Sequence, residues 1–409
     1  MPADRTFAIV GASLAGAKAA ETLREEGFDG GIVLIGAEQE RPYERPPLSK
    51  EYLRGEGERD AVYVHEEGFY ADRDIDLRRG TTVVAVEPAA REVVVSGGER
   101  LRYDALLLTT GAEPRRLRIP GAELDGIRYL RTVGDSDGLR AAIRAAGRVV
   151  VVGGGWIGSE VAASARQLGA EVTLVEAAAA PLEPVLGPEL GAIYRDVHAD
   201  HGVQLLLGSG VEAFEGAASV ERVRTSDGRT VDCDLVVVGI GVAPRVELAD
   251  GTDIAVGDGV LVDGRLETSV PGVFAAGDVA SHDHPFYGER IRVEHWGNAL
   301  EQGPAAARAM LGGDAPYERL PYFFSDQYDV GMEYAGWARE WDRVIFRGDP
   351  ATREFVAFWI AGDRVVAGMN VNVWDVNDAI QDVIRAGGPV DEARLTDPDV
   401  PLEELAPGG

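Results

Sequence analysis

Cysteine and lysine are almost absent from this chain of 409 residues. A single cysteine, Cys233, excludes an intrachain disulfide framework and a dithiol redox relay, and favours a cytoplasmic protein. Because Cys233 lies in the apolar run VDCDLVVVG, we interpret it as a small buried hydrophobic residue rather than a reactive thiol. Of 40 basic residues only Lys18 and Lys50 are lysines. Lys50 follows two prolines that stiffen the backbone, so a chain that otherwise uses arginine keeps an ammonium group there.

Long apolar runs and an excess of positive charge are also missing. No apolar run reaches the roughly 18 to 20 residues of a membrane-spanning helix, and the chain enters a predicted strand at once, without a signal-peptide pattern. The formal net charge of −29 disfavours nucleic acid, whose phosphates it would repel. We therefore expect no membrane and no nucleic-acid partner, and we predict no metal site.

A glycine-rich turn follows the first predicted strand, in TFAIVGASLAGAKAAETLREEGFDGGIVLIGAE. An apolar strand over residues 6–10 leads into this turn, a helix-compatible stretch runs to about residue 26, and a second strand covers 31–35. Such a context makes a G-x-G-x-x-G pattern a dinucleotide site, because glycine admits a pyrophosphate and the helix N-terminus supplies amide donors. The turn residues predicted to bind the nucleotide are Gly11, Ser13, Ala15 and Gly16, with Ser13 in place of the middle glycine.

The same pattern recurs in RVVVVGGGWIGSEVAASARQLGAEVTLVEAA. A strand over 148–152, a helix to about residue 168 and a strand over 171–175 surround a complete motif, whose glycines are Gly153, Gly155 and Gly158. Glu176 ends the second strand, where a carboxylate can bond both ribose hydroxyls of NAD. Alanines follow it and no arginine is at hand for a 2′-phosphate, so NADH is favoured over NADPH. Glu38 follows the equivalent strand of the first turn and is either a ribose ligand or a solvated loop acid.

A third signature is GVFAAGDVA, residues 272–280, a short predicted strand that ends at Gly277 and Asp278. In a protein with two dinucleotides, this glycine would admit the flavin chain and the aspartate would accept a hydrogen bond from a ribityl hydroxyl. The alternative is an N-cap aspartate on a following helix.

The runs 106–116 and 236–245 mirror each other and indicate that one nucleotide domain is inserted into the other. After residue 321 the pattern changes to antiparallel strands, followed by a helix near 375–386. The predicted fold class is α/β: two Rossmann-like dinucleotide-binding domains and a C-terminal α+β domain with an antiparallel sheet. The predicted boundaries are 1–112 and 244–320 for the split first nucleotide domain, 113–243 for the inserted second nucleotide domain and 321–409 for the C-terminal domain.

Together these segments resemble a known family. The motifs RPYERPPLSKEYL, LLLTTGAEPRRL, GIGVAPRVELA, VEHWGNALEQG and YFFSDQYD occur in order with the glycine turns. They are similar to the FAD-dependent, NADH-dependent ferredoxin reductases of bacterial oxygenase systems, the group typified by putidaredoxin reductase. The resemblance implies a glutathione-reductase-like fold, in which the split domain is the FAD domain and the inserted one is the NAD domain. It implies hydride transfer from NADH to FAD. It also implies single-electron transfer to a [2Fe–2S] ferredoxin that supplies a haem monooxygenase or a ring-hydroxylating dioxygenase.

The resemblance also implies positions for the cofactors. It points to Ser13, Arg45, Lys50, Val83, Asp278 and Trp296 along FAD, and to Gly155, Ile157, Glu160 and Glu176 around NAD. Thr110, Gly111, Arg131 and Gly241 complete the predicted cofactor-binding set. Phe324 stands where many relatives have Trp, beside the flavin edge that faces the iron–sulfur partner, so this difference bears on the choice of partner. For Trp296 and its neighbour His295, filling of a core is the competing interpretation.

Lys50 and Glu160 are the predicted catalytic residues. A cation near the flavin would oppose the negative charge that hydride transfer develops. A compact ammonium leaves more room for a stacked nicotinamide than a planar guanidinium does. Because a buried unpaired charge is costly, Lys50 needs a counter-ion, and Glu160, two residues past Gly158, is the expected partner. The alternative is an ion pair with a purely structural role.

Other classes of flavoprotein with the same fold are the alternatives to this prediction. Dithiol reductases and peroxide-reducing relatives need cysteine after the first glycine helix, where this chain has RPYERPPLSK. A rubredoxin reductase remains the near alternative, since only the acceptor differs. A scaffold flavoprotein that senses NADH with little turnover, like apoptosis-inducing factor, is the alternative from another class.

Overall fold

A computed structural model describes residues 5–406. Its contacts divide the chain into two units. The first unit contains the residues up to Glu44, Arg59–Glu113 and Ala243–Pro321, and the second contains Arg45–Glu58, Pro114–Val242 and the residues from Tyr322 onward. The chain passes between units within the short strands Ala112–Pro114 and Val242–Pro244. Over residues 5–406, no helix is long and apolar enough to cross a membrane.

A five-stranded parallel sheet forms the centre of the first unit. Its strand order is Val273–Ala275, Ala105–Leu108, Thr6–Val10, Gly31–Ile35 and Ile75–Arg78. The central strands are buried along most of their length, as their continuous apolar sequences predict for a parallel sheet that is covered on both faces. The strands predicted at 6–10 and 31–35 are confirmed at the same residues.

Smaller sheets and helices complete the first unit. The antiparallel strands are Val83–Glu87, Glu92–Val95 and Arg100–Arg102, and a four-stranded sheet contains Val256–Gly257, Gly259–Val262, Ala280–His284 and Glu289–Arg292. The helices are Leu14–Glu25, Phe69–Asp72 and Trp296–Met310, with 3₁₀ turns at Arg59–Val62, Glu247–Ala249 and Gly277–Val279. Helix Leu14–Glu25, which follows the glycine turn, packs along helix Trp296–Met310.

The second unit contains a parallel sheet of the same size. Its strand order is Gln204–Leu207, Glu171–Glu176, Arg148–Val152, Leu235–Val238 and Ile127–Arg128. The strand predicted at 148–152 is confirmed, and the next one runs a residue beyond the predicted 171–175. Cys233 is 1% exposed, which confirms its predicted burial, and this burial raises the pKa of the thiol to about 12.

An antiparallel sheet at the C-terminal side belongs to the second unit as well. Its order is Tyr322–Gln327, Val330–Gly336, Arg364–Val371, Glu354–Ala361 and Arg343–Asp349, and a smaller sheet contains Val211–Glu215, Arg222–Thr225 and Thr230–Asp232. The α-helices are Glu51–Arg54, Val133–Ala145, Trp156–Gln167, Glu183–Leu186, Pro188–Asp200, Asn377–Ala386 and Glu392–Thr396. The 3₁₀ helices are Pro46–Ser49, Pro350–Thr352 and Leu402–Glu404. The predicted antiparallel sheet and the helix near 375–386 are both present.

One hydrophobic core joins this sheet to helix Pro188–Asp200. Trp359 is fully buried in it, and its indole N–H donates to the carbonyl oxygen of Leu186 at 3.0 Å. The shared core explains why the C-terminal sheet groups with the glycine-turn sheet 148–152. Contacts also assign residues 45–58, which the sequence assigned to the FAD domain, to the second unit. The three-domain division stays a prediction.

Candidate functional site

The glycine turn of the first unit is shaped by close packing. Gly11 has a φ of +123°, and a Cβ there would lie 2.1 Å from the carbonyl oxygen of Thr109, so only glycine fits. Helix Leu14–Glu25 begins directly after Ser13, whose hydroxyl makes no capping hydrogen bond within the described chain. Ala15 and Gly16 are buried in its first turn. The first-turn amides therefore stay open to an anion, which fits the pyrophosphate of FAD.

Glu38 and Asp278 are the two acids predicted to bind a ribose and the ribityl chain. The half-buried Glu38 carboxylate accepts a hydrogen bond from the Tyr43 hydroxyl. Asp278 lies in the 3₁₀ turn Gly277–Val279, whose N-cap is Ala276 and which a strand follows, so the interpretation of Asp278 as a helix N-cap is wrong. The ribose and ribityl roles of these two acids stay predictions.

His295 and Trp296 stand at the start of helix Trp296–Met310. Burial lowers the pKa of His295 to about 4, and nearby Asp278 opposes that shift. Burial raises the pKa of Glu44. The Trp296 side chain donates a hydrogen bond to Glu44, which opposes this rise. Each of the two side chains therefore has an acidic neighbour, which a purely apolar core position would not provide, and the flavin contact of Trp296 stays a prediction.

Four other predicted residues of the first unit have structural partners of their own. Val83 begins a strand and is 8% exposed. The Thr110 hydroxyl donates to the Arg245 carbonyl at 2.8 Å, and the Arg245 amide donates to the Gly111 carbonyl at 2.9 Å. The Gly277 amide donates to Gln302 Oε1 at 2.8 Å, which ties the end of the central sheet to helix Trp296–Met310. Their contacts with FAD stay predictions.

The glycine turn of the second unit resembles the first, except that a glycine, Gly155, stands at the N-cap position that Ser13 occupies in the first unit. Gly153 has a φ of +97°, and a Cβ there would lie 2.4 Å from the Gly239 carbonyl oxygen. Gly155 is the N-cap of helix Trp156–Gln167. Apart from its chain neighbours, no heavy atom of the described residues lies within 4 Å of where a Gly155 Cβ would be. Ile157 is half-buried and Gly158 is buried in the first turn. The space beside Gly155 fits the pyrophosphate of NAD.

Glu176 is fixed at the end of its strand by main-chain amides. Its Oε2 accepts from the Gly154 N–H at 2.5 Å, and its Oε1 accepts from the Ala178 N–H at 2.7 Å. This geometry holds the carboxylate beside the glycine turn, where it could accept hydrogen bonds from ribose hydroxyls. Its role as ribose ligand stays a prediction.

Lys50 and Glu160 form the expected ion pair inside the second unit. The ammonium nitrogen of Lys50 lies 3.3 Å from each carboxylate oxygen of Glu160. The two residues are 4% and 6% exposed. Lys50 follows the 3₁₀ helix Pro46–Ser49, and Glu160 projects from the helix after the glycine turn. The chain thus holds two opposite charges, buried and paired, beside its second nucleotide turn.

Two serines that the sequence did not single out also bind Glu160. The Ser49 hydroxyl donates to Oε2 at 2.5 Å and the Ser325 hydroxyl donates to Oε1 at 2.7 Å. Ser325 is next to Phe324, whose ring centroid lies 5.3 Å from the Lys50 nitrogen. The only sequence signal was adjacency, since each serine neighbours a predicted site residue.

The charges of Lys50 and Glu160 also affect a third ionisable side chain, Asp326. Burial raises the pKa of Asp326, which follows Ser325; the nearby Lys50 opposes this shift and Glu160 adds to it. Asp326, near the end of strand Tyr322–Gln327, therefore interacts electrostatically with both Lys50 and Glu160.

The remaining predicted residues lie elsewhere in the second unit. The Arg45 guanidinium donates to the carbonyl oxygen of Arg131. Gly241 has a φ of +89°. Of the predicted residues, the structure brings Lys50, Glu160 and Phe324 together as one cluster and Arg45 and Arg131 as another.

Sequence and structure comparisons define the family. Residues 5–303 match the pyridine nucleotide-disulphide oxidoreductase family and residues 322–406 match the reductase C-terminal family. The chain belongs to the pyridine nucleotide-disulphide oxidoreductases. The predicted fold class is confirmed, and so is the predicted resemblance.

Within this family, the chain is similar to reductases of oxygenase systems. It is 41% identical to the 5,5′-dehydrodivanillate O-demethylase ferredoxin reductase subunit of Sphingobium sp., over 97% of each chain. It is 40% identical to the anthranilate 1,2-dioxygenase system ferredoxin–NAD(+) reductase component of Burkholderia cepacia, over 98% of this chain and 99% of that one. A crystal structure of the covalent putidaredoxin reductase–putidaredoxin complex matches with a TM-score of 0.94 and 38% identity, over 99% of this chain and 98% of that chain.

Proposed function

We propose that this protein is an FAD-dependent NADH:ferredoxin reductase of an oxygenase system. It takes a hydride from NADH and passes single electrons to a [2Fe–2S] ferredoxin, which supplies a haem monooxygenase or a ring-hydroxylating dioxygenase. The relatives that span nearly the whole chain are named as ferredoxin reductases of such systems. The observation that carries the proposal is the buried Lys50–Glu160 pair beside a nucleotide turn, in a chain with no second cysteine.

The residues that would hold the cofactors include those of the two glycine turns. For FAD they are Gly11, Ser13, Ala15 and Gly16, with Glu38, Arg45, Lys50, Val83, Asp278 and Trp296. For NADH they are Gly153, Gly155, Ile157 and Gly158, with Glu160 and Glu176. Over residues 5–406, no side chain caps the start of helix Leu14–Glu25, and a Cβ at Gly155 would meet open space. Both observations support the assignments. When bound, FAD supplies a ring that accepts a hydride and releases electrons one at a time.

Lys50 supplies a positive charge that does not depend on a bound metal. Its ammonium opposes the negative charge that develops when a hydride arrives, and a preorganised charge acts strongly in a water-poor site. Glu160 keeps this ammonium in one position and compensates its burial. Both residues thus hold and orient charge rather than form covalent bonds.

With a single cysteine, the chain has no dithiol of its own to accept electrons from FAD, so the acceptor is a separate molecule. A direct assay identifies it. The FAD-loaded protein is mixed with NADH and cytochrome c, together with a [2Fe–2S] ferredoxin, a rubredoxin or no carrier. We expect cytochrome c reduction to require a [2Fe–2S] ferredoxin. Faster reduction through rubredoxin would instead make the protein a rubredoxin reductase.

A ferricyanide assay completes the test, because ferricyanide accepts electrons without a protein carrier. Rapid NADH-dependent ferricyanide reduction is expected. A protein that binds NADH yet reduces neither ferricyanide nor any carrier would be an NADH-sensing flavoprotein like apoptosis-inducing factor. We assign the protein to the cytoplasm, on the basis of its single cysteine.

A further inference from the structure

Glu160 receives more hydrogen bonds than an ion pair needs. Ser49 Oγ donates to one carboxylate oxygen at 2.5 Å and Ser325 Oγ donates to the other at 2.7 Å. The Lys50 nitrogen lies farther away, at 3.3 Å from both oxygens. The two neutral hydroxyls are therefore closer to the carboxylate than its own counter-ion is.

The serine distances are ordinary for a hydroxyl that donates to a carboxylate, which is usually about 2.5 to 2.7 Å away. The ammonium distance is not, because a hydrogen bond from an ammonium to a carboxylate is usually about 2.7 to 2.9 Å long. Lys50 and Glu160 are both buried, where their attraction is screened less than at the surface. The long ammonium distance therefore needs an explanation, and the serine hydroxyls already occupy one acceptor position on each carboxylate oxygen.

The direction of each hydroxyl is set by its surroundings. Gln327 Nε2 donates to Ser325 Oγ at 3.4 Å, so the proton of Ser325 is directed to Glu160. For Ser49, the other acceptor is the Pro46 carbonyl at 3.5 Å, a full ångström farther than Glu160. Both hydroxyls therefore donate to the carboxylate.

Both serines also stand on rigid elements. Ser325 lies within strand Tyr322–Gln327, opposite Met332 of the neighbouring strand. Ser49 ends a 3₁₀ helix that begins with two prolines, and its carbonyl accepts from the Ser164 hydroxyl at 2.6 Å. Donors that are fixed in this way can define the position of a third group.

We propose that Ser49 and Ser325 are positioning residues that occupy one acceptor position on each oxygen of Glu160 and so keep Lys50 loosely paired. Glu160 then compensates the charge of Lys50 but does not occupy all three N–H donors of the Lys50 ammonium. A donor therefore stays available to the flavin ring. Without the hydroxyls, the carboxylate would draw the ammonium onto itself. This inference rests on the proposed function, because it assigns the free donor of Lys50 to FAD.

The test uses the FAD-loaded protein with Ser49→Ala, Ser325→Ala and the double replacement. In a crystal structure of the double variant, we expect the distance from Lys50 Nζ to Glu160 to contract to about 2.8 Å. The flavin reduction potential should shift to more negative values. The rate of flavin reduction by NADH should fall at least about fivefold, while the Kd for NAD+ stays unchanged.

Two further variants separate positioning from stability. Ser325→Thr keeps the hydroxyl and should retain the wild-type potential and rate. Ser136→Ala removes an equally buried serine, whose hydroxyl donates to the Leu48 carbonyl at 2.8 Å, and should lower the melting temperature alone. If the double serine variant keeps the 3.3 Å distance, the potential and the rate, the proposal is overturned and the serines only support the fold.

The failure of the proposed function has a different signature. A wild-type protein that does not pass electrons from NADH to any ferredoxin would refute the function. The crystallographic distance in the double variant would still decide the positioning: a contracted pair supports it and an unchanged pair overturns it.

Discussion

The two glycine turns have the same plan and carry opposite charges at the same helix position. Each turn leads from a five-stranded parallel sheet into a helix of 12 residues. Lys18 lies two residues past Gly16, and Glu160 lies two residues past Gly158. Lys18 is 27% exposed and pairs locally with Glu21 on its own helix. The Glu160 side chain is 7% exposed and pairs with Lys50, from a distant segment. One motif thus recurs in both units, and among the described residues a buried charge pair stands at this helix position in the second unit but not in the first.

The comparison predicts unequal costs for neutralising these two positions. Glu160→Gln should lower the free energy of unfolding by about 3 kcal/mol, because it leaves Lys50 buried without its counter-ion. Lys18→Gln breaks a partly exposed pair and should cost less than about 1 kcal/mol. Urea denaturation of both variants measures the difference. Equal losses would mean that the buried pair is no more important to the fold than the exposed one.

The turns themselves should be equally intolerant of a side chain at their first glycine. Gly11→Ala and Gly153→Ala both force a Cβ against a backbone carbonyl at a positive φ, so each should cost about 2 kcal/mol of stability or more. Gly155→Ala is the matched control, since its Cβ would enter open space. It should fold normally and weaken NAD+ binding in a titration. Normal NAD+ affinity in Gly155→Ala would show that the open space is not the nucleotide site.

The two acids at the strand ends should differ in their effect on cofactor choice. Because Glu176 would face the 2′-phosphate of NADPH, NADH should be preferred by at least about tenfold in kcat/KM, or about 1.4 kcal/mol. Glu176→Gln should reduce this preference, whereas Glu38→Gln in the first unit should leave it unchanged. Steady-state kinetics with both nucleotides decides. Similar efficiencies for NADH and NADPH in the wild type would refute the role of Glu176.

The smallest expected effect concerns acid stability. His198 of the second unit is fully buried, and burial lowers its pKa to about 4. Between its ordinary pKa of about 6.5 and this lower value, the unfolded chain binds a proton that the folded chain does not. Stability therefore falls as the pH drops, by about 0.7 kcal/mol between pH 7 and pH 6 for this group. His198→Gln should remove that part of the slope, and an unchanged slope would contradict the buried neutral form.

Local patterns predicted the framework of this fold. The strands at 6–10, 31–35 and 148–152 were located to the residue, because continuous apolar runs that end in glycine turns are a strong local signal. The Lys50–Glu160 pairing was also expected, from the rarity of lysine and the need of a buried charge for a partner.

Contacts between distant segments were beyond the reach of such patterns. Ser49 and Ser325 bind Glu160 across 111 and 165 residues of sequence. A serine after a proline pair, or within a strand, carries no mark of the acceptor that it will meet. The grouping of residues 45–58 with the second unit was missed for the same reason, since it depends on tertiary packing.

The central claim is that Lys50 is retained as an ammonium because the reaction with NADH needs it. It is tested most directly by stopped-flow reduction of the FAD-loaded Lys50→Arg variant, beside Lys50→Gln. FAD content, melting temperature and NAD+ affinity are measured on the same samples, so that a folding defect is recognised. We expect both variants to bind FAD and NAD+ and to be reduced at least about tenfold more slowly than the wild type. Wild-type speed in Lys50→Arg would contradict the account and leave the Lys50–Glu160 pair a structural one.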